Sequence, residues 1–185
     1  MIATDPSALP GVRGALADGW RAFAGIWSAL AAIGSTLILC AIAAESGWLL
    51  AGTLLAAAAA ELVWGLGVLR AGRMLAPRLA IAVSVVVMAA ATALVFARQI
   101  GWVPFAVLVV LHWSVALLAA VRLRRLRAAS AYSAGSGAPA SPRPGATVIA
   151  VTAAAMVVAA LTTPALANTS AGEHAVPHGT SHHAH

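Results

Sequence analysis

The chain contains no lysine, and its eleven basic side chains are all arginine. Charged residues of either sign make up only 9% of the 185 positions. A soluble domain carries about a quarter, so there is too little polar surface here to cover a water-soluble globule. Cys40 is the only cysteine, which excludes an internal disulfide. It sits inside an apolar run and reads as a small buried hydrophobe. Both aspartates, Asp5 and Asp18, lie in the N-terminal segment, so Ser/His/Asp chemistry has no support. No glycine-rich phosphate loop, HExxH helix or nucleophile elbow occurs, and the expectation is that the protein is not an enzyme. Aromatic residues are 5% of the chain and do not alternate with basic ones, as binding of single strands would require. The pI of about 11.6 therefore does not mark a nucleic-acid partner. The missing lysine, with heavy use of Ala, Arg and Gly, points to a GC-rich and bacterial source.

Apolar residues fill the space. They make up 62% of the chain, with a mean hydropathy of +0.93. Crossing the hydrocarbon core takes about 20 mostly apolar residues in a helix, and five stretches meet that length: Ala22–Ala44, Gly47–Leu69, Ala76–Ala97, Gly101–Val121 and Ala146–Ala167. Pro77 falls in the first turn of the third, where proline is tolerated. Trp20, Trp48 and Trp102 stand at span ends, where interfacial aromatics belong. The connections Glu45–Ser46 and Arg98–Ile100 are so short that they predict two antiparallel hairpins. Small residues such as Gly25, Gly34, Ala60 and Gly65 allow close helix approach, although alanine is so frequent that small-xxx-small spacing carries little information. The fifth stretch is rich in Ala, Val and Thr and follows a Ser/Gly/Pro-rich linker.

Ten of the eleven arginines fall on one side of a five-span threading, with Arg98 the exception. Lys/Arg excess marks cytoplasmic loops. The expectation is a bacterial plasma-membrane protein with its N-terminus cytoplasmic and its C-terminus extracytoplasmic. Its organisation reads as a cytoplasmic segment over residues 1–21 and a four-helix transmembrane bundle over 22–127. A flexible cytoplasmic linker over 128–145, a fifth transmembrane helix over 146–167 and an extracytoplasmic tail over 168–185 complete it. The fold class is all-α. The first span is too long, and too far from the start, for a signal peptide.

Two ionisable side chains lie within spans. Glu61 is nine residues before Arg70 and His112 is ten before Arg122, depths of about 13 and 15 Å at helical rise. Met88, ten residues beyond Arg78, reaches a similar depth, with Trp64 and Trp113 close to that layer. A charge within the membrane costs about 2.5–3.5 kcal/mol, so such residues face the bundle and find partners. One reading is a proton or cation site in which Glu61 accepts and His112 relays or ligates. The other is a neutral Glu61 bonded to His112 or to a helix carbonyl, holding the bundle in register. Met88 reads as core filler.

A second cluster ends the chain. His174, His178, His182, His183 and His185 fall within the last twelve residues. Neutral imidazole suits Cu, Zn and Ni, and short His-rich tracts are compositionally metal-binding. Pro177 and Gly179 break any helix there, so the tail would wrap a metal as a flexible chelator, or respond to pH. Without cysteine, a closed structural zinc site is disfavoured. Thr163-Pro-Ala-Leu-Ala167 before Asn168 has the small-residue spacing of a secretory cleavage site, or of a helix end in an Ala-rich chain. The run Arg122–Arg127 reads as a topology anchor, or as a contact for anionic lipid.

Three functions follow as expectations. The first is an accessory to extracytoplasmic transition-metal handling through the tail. The second is a small proton- or cation-coupled transporter using Glu61 and His112. The third is a structural subunit of a membrane complex. The partners implied are the lipid bilayer and transition-metal ions, with protein partners undefined.

Overall fold

A computed structural model describes residues 10–131, 144–169 and Gly172. All regular structure among them is helical: α1 (Pro10–Ala43), α2 (Trp48–Ala71), α3 (Pro77–Phe96), α4 (Trp102–Ala131) and α5 (Pro144–Ala167). Each contains a segment long and apolar enough to cross a membrane. The valine-rich run of α3, Val85-Val-Val87, would suit a strand in water. In hydrocarbon, a helix satisfies its own backbone and a lone strand does not.

The helix ends follow local chemistry. Gly72 closes α2 in the left-handed region at φ 61°, its N–H donating to Leu69 O at 3.2 Å. Pro77 stands in the first turn of α3. At the far end of α3 the N–H groups of Arg98 and Gln99 donate to Val95 O and Leu94 O, both at 2.9 Å. Arg98 takes the left-handed position at φ 57°, where glycine is usual. Trp48 and Trp102 open α2 and α4 and are 81% and 71% exposed, as expected of interfacial rings. The helices outrun their apolar spans. α1 begins at Pro10 and α4 continues to Ala131, through arginines and leucines that are good helix formers and need no bilayer.

Helix α1 is the axis of the bundle. Its most apolar window is 61% buried, against 17% for α3. It packs on α2, α4 and α5, and α3 packs on α4. The fifth helix is therefore part of the bundle, lying along α1. The buried positions of α2 are Leu54, Ala58, Glu61, Gly65 and Val68, a 4-3-4-3 spacing that gives one straight seam. Its large leucines mostly point outward, as a lipid-facing surface requires. A Cβ on Gly65 would lie 3.1 Å from Ala29 O, so α1 meets α2 almost backbone to backbone, and one on Gly34 would lie 2.7 Å from Thr162 Cγ2, so side chains of α5 pack directly onto the α1 backbone there. Polar links join the same helices. Thr36 Oγ1 donates to Ala32 O at 2.9 Å and also lies 3.2 Å from Ala58 O on α2. Trp27 Nε1 donates to Ser114 Oγ on α4 at 2.8 Å. No extensive contact joins α2 to α3, and this gap shapes the site below.

Candidate functional site

Glu61 lies on the inner seam of α2, between Ala58 and Gly65. His112 lies on the inner face of α4, beside the buried Leu108, Leu111 and Val115. The helices bring the two side chains together: His112 Nε2 is 2.9 Å from Glu61 Oε1. Glu61 is 7% exposed and His112 6%. His112 Nδ1 is also 2.9 Å from Leu108 O, one turn back on α4.

The bonding pattern fixes the proton count. A backbone carbonyl can only accept, so Nδ1 carries a hydrogen and donates it to Leu108 O. Nε2 and Oε1 then need one further proton between them. Held by oxygen, it makes a neutral acid donating to a neutral imidazole. Held by nitrogen, it makes an imidazolium donating to a carboxylate. Either way the pair is neutral with one shared proton. It becomes anionic when that proton leaves and cationic when another arrives. Glu61 Oε2 is buried and has no hydrogen-bond partner, so the carboxyl group keeps unused accepting capacity in a place where that is unfavourable.

The pair forms part of the wall of a cavity of about 500 Å³ between α2 and α3, with α1 and α4 behind it. The lining is almost wholly aliphatic. Its polar side chains are Glu61, His112, Ser84 and the indole of Trp64. Trp64 Nε1 donates to Leu75 O at 3.3 Å, which holds the ring in place. The rim residues Ala60, Leu79, Ala82, Val83 and Val86 are exposed, so the cavity opens sideways onto the apolar surface of the bundle. Neither Met88 nor Trp113 lines it. Trp113 is 63% exposed on the outside of α4, and Ser84 is the α3 polar residue that reaches the cavity. Ser84, the Leu108 carbonyl and the α2–α3 gap were not singled out from sequence. The only trace of them was that Ser84 is the one hydroxyl in the first three turns of α3.

A second cavity, of about 560 Å³, lies at the Arg98 end and is lined in part by Glu45, Arg98, Gln99 and Asn168. It joins the α1–α2 turn, the α3–α4 turn and the end of α5, which puts these three at one end of the bundle. Helix α5 stays helical through Ala167, and Asn168 Nδ2 donates to Pro164 O at 2.9 Å. His174, His178, His182, His183 and His185 lie outside the described residues. Among the described residues no three His, Cys, Asp or Glu side chains stand close enough to hold a metal ion.

The five membrane-length helices among the described residues are those of a multi-pass membrane protein. No family model, curated protein or solved structure matches the chain.

Proposed function

We propose that the protein is a small proton-coupled transporter whose proton-carrying site is the Glu61–His112 pair, with its arginine-rich end in the cytoplasm of a bacterial plasma membrane. The observation that carries this reading is the 2.9 Å Nε2–Oε1 contact, with Nδ1 already committed to Leu108. That geometry supports one exchangeable proton at about mid-membrane depth, beside a cavity of solute size. A register pin would need the bond alone. It would need neither the cavity nor a carboxyl oxygen left without a partner. Intramembrane acid and imidazole groups are the usual components of proton pathways. The reading makes the protein a carrier and not an enzyme. Glu61→Gln keeps a hydrogen-bonding amide but removes the transferable proton. Sealed vesicles carrying this variant and an internal pH dye are expected to show no proton flux above that of protein-free lipid.

The tail supports a second reading, metal collection, because five of the six histidines fall in its last twelve positions. It is independent of the pair. A synthetic peptide of residues 168–185 is expected to bind Cu(II), Ni(II) or Zn(II) in the micromolar range by calorimetry. Heats no larger than those of dilution would remove the metal from the account.

A further inference from the structure

We infer that the cavity between α2 and α3 binds a monovalent organic cation with an apolar body, and that each cation bound displaces the single proton of the Glu61–His112 pair. The inference rests on the proton-carrying reading above and names the solute it would serve.

Four observations narrow the ligand class. The cavity volume of about 500 Å³ is that of a site for a drug-sized molecule, within the usual span of about 300–1,000 Å³. Its walls are aliphatic apart from four side chains, so a ligand that fills it must be mostly apolar. Its rim is exposed at Leu79, Val83 and Val86, at 57%, 39% and 65%, on the flank that faces lipid. The entering molecule must therefore partition into the bilayer, which a hydrated inorganic ion does not do. Finally, Glu61 and His112 are the only titratable groups in the lining, since α1 and α3 contribute none.

Charge decides the rest. An anion would face the carboxylate with no basic partner in the cavity other than the imidazole already bonded to it. A divalent metal would find one carboxylate and one imidazole, fewer than the three or four protein ligands such ions take. A neutral apolar molecule would have no use for Glu61. A monovalent cation matches. Glu61 Oε2 has no partner, and Trp64, the aromatic residue of the lining, is of the type that attracts cations most strongly.

The exchange balances. Before binding, Glu61 and His112 share one proton and carry no net charge. As the cation arrives, the proton passes to the aqueous phase, leaving carboxylate, neutral imidazole and cation, again with no net charge. One cation binds for one proton released, and the occupied site carries no net charge, as low-dielectric surroundings favour.

The test uses tetraphenylphosphonium with the purified full-length protein in detergent. Saturable binding is expected, with one proton released per cation in weakly buffered solution. Because protons compete for the same site, the Kd is expected to rise by up to about tenfold for each unit of pH decrease where the proton is held. Glu61→Gln should weaken binding at least about thirtyfold. Val83→Trp, which fills the rim and leaves the pair untouched, should also block binding and the proton release that accompanies it. Binding that is pH-independent and equal in Glu61→Gln would overturn the inference. If the cation fails to bind while Glu61-dependent proton flux is intact, the ligand class is wrong and the proton-carrying reading stands. If both are absent, both fall.

Discussion

His112→Leu is expected to destabilise the folded protein by about 3 kcal/mol, and changing Glu61 to leucine as well is expected to restore most of that loss. The single substitution strips Glu61 Oε1 of its only partner, and Oε2 has none already. A carboxyl group 7% exposed in a membrane helix is then wholly unsatisfied. Leaving a buried group in that state costs about 1–3 kcal/mol if it is neutral and about 3–5 if it is charged. Glu61→Leu/His112→Leu removes both polar groups and fills similar volume with apolar atoms, a change that is often neutral or stabilising. Unfolding of the wild type, both single variants and the double variant in mixed micelles would give the coupling energy, expected at about 1–3 kcal/mol. Additive losses would mean that the two side chains are not bonded to one another.

The second large effect concerns the join of α5 to α1. Gly34→Val is expected to cost about 3 kcal/mol, the upper part of the range for overpacking, and to loosen α5 from the bundle. A Cβ at this position would lie 2.7 Å from Thr162 Cγ2 and 2.9 Å from Val158 Cγ1. Neither neighbour can swing aside easily. Both are β-branched and stiff at χ1, and Thr162 Oγ1 is fixed by a 2.9 Å bond to Val158 O. The comparison is Gly52, where a Cβ meets nothing within 4 Å. There Gly→Ala should be neutral, or stabilising by up to about 1 kcal/mol from helix propensity. Thermal unfolding in detergent distinguishes the two positions. Equal behaviour would mean that α5 is not seated on α1 as described.

The spans were legible because hydrocarbon imposes a length and a composition on any helix that crosses it. That Glu61 and His112 share one level of the bundle was legible for a related reason, since the arginines after α2 and α4 act as rulers. What could not be read was the direction in which each side chain points. Helix α2 is apolar on all sides, and its inner seam is marked by small residues among many alanines. Gly65 and Gly34 are true crossing points, yet Gly52 looks the same in sequence and touches nothing within 4 Å. The gap between α2 and α3 was hidden for another reason. Two consecutive helices usually pack on each other, and here α3 packs on α4 instead. The same count assigns Met88 to that level, but it does not line the cavity that Ser84 reaches. The extended ends of α1 and α4 were missed because hydropathy registers the bilayer and not the helix.

The most direct test of the account is proton flux through the Glu61→Leu/His112→Leu double variant in sealed vesicles under an imposed pH gradient. This variant is expected to remain folded, so a loss of flux cannot be blamed on a collapsed bundle. The account predicts a dye response for the wild type and none above bare lipid for the double variant. A folded double variant that passes protons as fast as the wild type would contradict it, and would leave Glu61 and His112 as a pin between two helices.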